Sequence, residues 1–178
     1  WGYAFPDAEF AQGSIAITDN LQDRNLEEPS IPGRQINYVV EVERIGDPAG
    51  IVSGTTQITR DPVGLIMART AATIIHATVL LKDGFSFQTG AGCASLAVAK
   101  FLQDTMIQRE ISGSFASGGI TGYLVEMLNE GCFHDLMDVQ CFDLEAVDSI
   151  LSNKHHHEMS STQYASPTNP DAVVNMLD

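Results

Sequence analysis

The chain has 178 residues, 44% of them apolar, and carries 23 acidic against 9 basic side chains for a formal charge of −14. That length and apolar content make one domain with a core of its own and exclude an intrinsically disordered chain. The charge leaves no basic face for nucleic acid or an anionic membrane, and the longest uncharged runs, 84–99 and 111–125, are too short and too rich in Gly and Ser to span a bilayer.

Charged residues make up 18% of the chain, below the usual level of about a quarter, and there are 15 glycines. This combination points to buried sheet strands and to surface made for other domains. Cys93, Cys132 and Cys141 sit in apolar surroundings and are expected to be reduced, packed thiols of a cytoplasmic protein. No basic-then-apolar leader opens the sequence, which fits the same compartment. The closing stretch from Val173 to Asp178 reads as the start of another strand, so a piece of a longer chain is expected.

In chain order, residues 1–36 hold one short strand candidate, Ser14–Thr18, followed by a loop rich in Pro and Gly. Asn37–Glu43 alternates and predicts a strand. Residues 45–56 are neutral and turn-rich. Asp61 before Pro62 is a strong helix start, and apolar spacing carries that helix from Val63 to Leu81. A pattern then repeats. Phe85–Thr89 predicts a strand, Gly90–Cys93 a tight turn and Ala94–Ile107 a helix. Ser114–Ser117 predicts a strand, Gly118-Gly119 a turn and Ile120–Asn129 a helix. Leu136–Phe142 predicts a strand, Asp143 a cap and Leu144–Leu151 a helix. Strand, turn and helix in series give an α/β fold, a mostly parallel sheet with helices on both faces. The strands lack polar alternation, as strands buried on both faces should.

In such a sheet, ligands bind beyond the carboxyl ends of the strands. The junction Thr89-Gly90-Ala91-Gly92-Cys93-Ala94-Ser95 offers backbone amides and a helix start to a phosphate, carboxylate or thioester oxygen. Gly90 and Gly92 fit two readings, close approach of a ligand or a tight turn alone, and their spacing leaves both open. The run is not a dinucleotide fingerprint, since Ser95 stands at the third glycine position, and no Gly-Lys-Ser/Thr follows for a nucleotide phosphate. Cys93 reads as a small packing residue, with a helix-start thiolate as the competing role. The second junction, 117–122, brings Gly118, Gly119 and Thr121 to a helix start. The third ends in Gln140 and Asp143. His155-His156-His157 predicts a solvated loop and no metal site, because successive imidazoles diverge on a regular backbone. His76 and His134 read as structural residues.

Several strings together resemble one family: residues 44–56 from Arg44 to Thr56, Thr59-Arg60-Asp61-Pro62, 82–92 from Lys82 to Gly92, 94–102 from Ala94 to Leu102, 118–123 from Gly118 to Tyr123, and 136–143 from Leu136 to Asp143. They resemble the citrate lyase alpha chain, the citrate CoA-transferase subunit, from about Val39 onward; residues 1–36 match loosely. The resemblance implies a CoA-transferase-like α/β domain at 37–178, incomplete at its C-terminus, with 1–36 as a linker or edge segment of a preceding domain. An acidic Gly-Ser-Asp-Gly stretch of the family would lie beyond Asp178.

The resemblance implies exchange of acetyl for citryl on a thioester carrier, with a beta chain then cleaving the citryl thioester. The implied partners are that beta chain, a small acyl carrier protein (the gamma chain) and further copies of the alpha chain. No cofactor is implied to be covalently bound; acetyl-CoA or the carrier's CoA-like group enters as substrate. The family's Gly-x-Gly thioester turn maps onto Gly90 and Gly92, with Cys93 where a further glycine is usual. Thr89, Ser95 and Thr121 add hydroxyls, and Gly118 and Gly119 add amides. Relatives that use a glutamyl thioester carry the nucleophile at a position that falls on Gly118, so no catalytic nucleophile is assigned and direct transfer is implied. His156 and Glu158 match a family string that has proline where Lys154 stands, and receive no role. Citrate and citramalate stay open as substrates, and Arg44, Arg60 and Arg69 are carboxylate-binding candidates by charge only. The second reading is a non-catalytic acyl-CoA-binding domain of the same fold; the third is a purely structural half.

Overall fold

The computed structural model describes residues 2–27, 29–47, 50 and 56–177. Of the turn-rich stretch expected at 45–56, residues 48, 49 and 51–55 therefore lie outside the described residues. The chain opens with a helix that the sequence did not announce, α1 (Ala4–Phe10). It is followed by β1 (Ile15–Thr18) and β2 (Tyr38–Glu41), which pair in parallel as a two-stranded sheet of their own.

Helix α2 (Pro62–Ala77) starts where Asp61 and Pro62 place it, with the Asp61 carboxylate accepting the Gly64 N–H at 2.7 Å. It stops four residues before the expected Leu81. Thr78 turns to extended backbone there, and its hydroxyl donates to the Ile75 carbonyl at 2.6 Å. The local hydroxyl–backbone bond competes with the helix and ends it.

The repeating part then unfolds in order: β3 (Ser86–Thr89), α3 (Cys93–Arg109), β4 (Gly113–Ile120), α4 (Gly122–Asn129), β5 (Phe133–Cys141), α5 (Leu144–Ser152), β6 (His156–Glu158) and α6 (Ser161–Ala165). The four strands form one sheet in the order β3-β4-β5-β6, every pair parallel. Each link between neighbours is a helical crossover, as parallel pairing requires. The α/β expectation holds.

On one face, Ala99, Leu102 and Met106 of α3, Leu124 and Met127 of α4, and Ala146 of α5 bury the sheet residues Ala116, Ile120, Phe133 and Leu136. Each fully buried leucine contributes about 1.5–3 kcal/mol. Phe87 stacks on Phe133 with ring centroids 6.0 Å apart, and α2 lies outside this layer, against α3. On the other face, Tyr164 of α6 packs with Val139, Met159, Val173, Phe115 and Met137.

Three expectations need correction, and one further helix is new. Gly118 and Gly119 are not a turn: β4 runs through them to Ile120, with a register shift between the two, and α4 begins only at Gly122. The histidine run is not a solvated loop. His155 ends the turn before strand β6 and His156 and His157 open that strand, with His156 buried and its two neighbours exposed. Both outward imidazoles reach Asp135 Oδ1, at 3.1 and 2.9 Å. Burial alone would raise the Asp135 carboxyl, but hydrogen bonds from His157 and His155 outweigh it and hold it below the usual range. The stretch after Ala172 is a 3₁₀ turn, Val173–Asn175, not a strand start. Finally, α6 was not anticipated; its Ser160–Gln163 capping box holds a five-residue helix in place.

Candidate active site

A cavity of about 220 Å³ opens at the carboxyl ends of β3, β4 and β5. The end of β3 supplies Gln88, Thr89, Gly90 and Ala91; β4 supplies Gly118 and Gly119; β5 and its exit supply Val139, Gln140 and Phe142. Tyr3 and Tyr164 close the remaining side, brought there because Gly2 bridges to Ser160 and α1 rests on α6. None of the described residues lining it is an Asp, Glu, His, Lys or Arg. Such a wall presents backbone amides, two amide side chains and two phenols, which suit an uncharged carbonyl or thioester.

The glycines around this cavity divide into two kinds. At Gly118, φ is +120°, and a Cβ would stand 2.8 Å from the Thr89 carbonyl oxygen. At Gly119 a Cβ would meet the Phe142 ring at 2.1 Å, and at Gly122 the Glu145 carboxylate at 2.3 Å. Gly118 and Gly119 are thus glycines that the fold itself needs, whereas at Gly122 the exposed Glu145 side chain could swing aside. Gly90 and Gly92 are not needed in that way. Neither has a positive φ, and a Cβ would meet nothing nearer than Ser95 Oγ, at 3.8 and 4.0 Å. The chain could carry a side chain at both, so a tight turn does not explain them.

Of the residues proposed from sequence, Thr89, Gly90, Gly118 and Gly119 meet in the cavity wall. Gly92 is the N-cap of α3 and lends no side-chain cap; Cys93 and Ser95, both half-buried, follow it in the first turn, beside the cavity and not in its wall. Thr121 is fully buried, and its hydroxyl, like that of Ser117, has no hydrogen-bond partner among the described residues. Asp143 is the cap expected: its two oxygens accept the Ala146 N–H at 2.9 Å and the Gly122 N–H at 2.8 Å. Arg44 bonds to Gly46 and Asp47, Arg69 stands over the Phe101 ring, and Arg60 is exposed ahead of α2; none lines the cavity. Tyr3, Phe142 and Tyr164 went unnoticed because only long-range packing brings them here.

Below the cavity floor lies a polar cluster. Asp138 is 1% exposed, and its Oδ2 takes the Cys141 thiol at 2.9 Å and His156 Nε2 at 3.2 Å. Donor atoms of these three residues fall within 4.8 Å of one another, the geometry from which a metal could be held. Burial and the adjoining Asp138 carboxylate push the Cys141 thiol far up, so it is protonated at neutral pH and serves as a donor to Asp138. Burial, with Glu130 nearby, raises Cys132 to about 11. The three cysteines are thiols and form no disulfide.

The family of the citrate lyase alpha subunit (CitF) matches residues 1–178. The chain belongs to that family. The match takes in residues 1–36 as well, which the sequence strings alone joined only loosely. It is 42% identical to the citrate lyase alpha chain of Escherichia coli K12 and 40% identical to that of Klebsiella pneumoniae, over 177 residues in each case. These alignments cover 99% of this chain and 35% of each relative, so the chain spans about a third of the length of the curated relatives it matches. A crystal structure of a citrate lyase alpha subunit from Streptococcus mutans, in complex with citrate, superposes with a TM-score of 0.89 at 42% identity, covering all of this chain and 35% of that one.

Proposed function

We propose that this chain is the thioester-receiving portion of a citrate CoA-transferase subunit. The observation that carries the reading is the pair Gly90 and Gly92: two glycines that the backbone does not require, at the carboxyl edge of a parallel sheet, beside a cavity lined with amides. The acetyl thioester carbonyl would lie against this edge, where the positive end of the α3 dipole favours developing negative charge. A citrate carboxylate oxygen attacks that carbonyl carbon, the carbon–sulfur bond breaks, and the carrier thiolate leaves. The thiolate then attacks the citryl carbonyl of the mixed anhydride, releasing acetate. The substrate carboxylate is itself the nucleophile, and Gly118 stands where a glutamate would be needed for a covalent route. The protein's contribution is positioning and amide stabilisation.

Acetyl-CoA or the prosthetic group of an acyl carrier protein is the thioester, and no covalently bound cofactor is involved. The partners in this proposal are a beta chain, the carrier protein and other alpha chains, in the cytoplasm. Residues 37–178 form the second, CoA-transferase-like domain and 1–36 an edge segment of the preceding one. The β1–β2 pair supports that layout: Ile15, Ile17, Tyr38 and Val39 are all more than half exposed, whereas parallel sheets ordinarily have both faces covered. The deciding experiment is acetyl-CoA:citrate exchange by the complete subunit and by its Gly90→Ala and Gly92→Ala variants. Exchange lost with the fold intact upholds the assignment. A subunit that binds acetyl-CoA without exchanging it is instead the non-catalytic binding module.

A further inference from the structure

One wall of the cavity is held in place from beneath. Gly118 pairs with Asp138 and Gly119 with Gln140, so β5 spends an extra residue, Val139, opposite the link between the two glycines. A bulge of this kind breaks the ladder locally and leaves peptide groups in need of partners. Asp138 meets the need: its Oδ1 accepts the Gln140 N–H at 2.6 Å. Its Oδ2 accepts from the Cys141 thiol and from His156 Nε2, while His156 Nδ1 lies 3.0 Å from Ser149 Oγ in α5.

His156 thus joins the two sides, with one ring nitrogen on the Ser149 hydroxyl and the other on the Asp138 carboxylate. A carboxylate only accepts, so Nε2–H donates to Asp138, while Nδ1 shares its hydrogen bond with the Ser149 hydroxyl. The opposite tautomer would set a ring lone pair against a carboxylate. The bonds therefore run without a break from α5 through β6 to β5 and end at the peptide of Gln140, which lines the cavity together with Val139. None of Ser149, His156 or Asp138 reaches the cavity, so none is a catalytic group. Burying a carboxylate is unfavourable unless every lone pair is used, and the bonds found here use this one to shape the bulge.

We infer that Asp138 and His156 are positioning residues: they fix the β5 bulge that turns Val139 and Gln140 into the thioester cavity. The inference rests on the cavity being the thioester site. A misplacement of about 1 Å in such a wall can cost roughly a hundredfold in rate.

The test uses the complete subunit and four variants: Asp138→Asn, His156→Leu, His156→Gln and Leu136→Ala, the last a control for general core damage. Each is assayed for acetyl-CoA:citrate exchange below its own melting temperature, and the Gln140 amide is followed by hydrogen exchange. Asp138→Asn and His156→Leu should lose kcat by about tenfold or more and lose protection at Gln140. His156→Gln, whose amide N–H can still donate to Asp138, should recover most of both, and Leu136→Ala should lose stability but keep kcat in its folded fraction. Wild-type kcat and KM in folded Asp138→Asn and His156→Leu would overturn the inference. If the wild-type subunit neither exchanges nor binds acetyl-CoA, the thioester reading is what fails. The Gln140 amide then decides alone: protection kept in Asp138→Asn overturns the positioning role, and protection lost upholds it.

Discussion

The carbonyl oxygen of Thr89 lies 2.8 Å from the point at which a Cβ on Gly118 would stand. These two residues are register partners at the cavity mouth, where β3 ends and β4 nears its end. Any side chain at Gly118 must push β3 away and must also adopt φ near +120°, a region that L-residues avoid. Gly118→Ala should therefore destabilise the fold by about 1–3 kcal/mol, seen as a lower midpoint in denaturant unfolding. An unchanged midpoint would show that β3 yields freely.

Gly90 and Gly92 should behave in the opposite way. Their backbone angles suit any residue, so Gly90→Ala and Gly92→Ala should unfold within about 0.5 kcal/mol of the parent. Gly92→Val should fold as well. In the complete subunit, exchange should drop by at least about tenfold in each, because the added carbon occupies the approach of the thioester. Normal turnover in all three would remove this turn from the mechanism. The contrast with Gly118 is the informative part, since under this proposal one set of glycines serves the fold and the other the ligand.

The buried thiol of Cys132 gives a pH signature. Burial holds its folded pKa at about 11, against about 8.5 in an unfolded chain. Between those values the unfolded state has lost the proton and the folded state keeps it, so the unfolded state binds fewer protons and stability falls as pH rises. The effect is absent below about pH 8. Unfolding free energy measured from pH 8 to 11 should decline less steeply in Cys132→Ala than in the parent, and identical slopes would contradict the assignment. Cys93→Gly, at the head of α3, should leave exchange intact, whereas its loss at unchanged stability would point to a thiolate there.

The strand, turn and helix series was legible because its elements carry local signals, such as Asp61-Pro62 at the start of α2 and Asp143 at α5. What escaped was set by neighbours in space. Gly118-Gly119 reads locally as a turn, yet pairing with Thr89 on one side and with Asp138 and Gln140 on the other keeps it in the sheet. His155-His156-His157 reads as a polar loop until Asp135 and Asp138 on β5 supply partners for alternate imidazoles. Thr121 looked like a hydroxyl at a ligand edge, and packing turned it inward. The turn at Gly90 and Gly92 was found from sequence, and the structure adds that a Cβ would have room at both.

The absence of a carboxylate at Gly118 sets the kinetic expectation. A glutamyl thioester would make the enzyme ping-pong, with acetate leaving before citrate binds, and initial-rate plots would be parallel. Direct attack needs both acyl partners present together, so the lines should intersect. Borohydride reduces glutamyl thioesters; incubating the complete subunit with acetyl-CoA and then borohydride should leave its activity unharmed, with no mass change on any peptide. Gly118→Glu should not gain a covalent intermediate, because the side chain collides with the Thr89 carbonyl and its carboxylate would need desolvation at a buried position. Its exchange rate should fall, along with its stability. Parallel lines combined with borohydride inactivation would overturn direct transfer and assign the nucleophile to a carboxylate outside this cavity, to be located by the mass shift of the reduced residue.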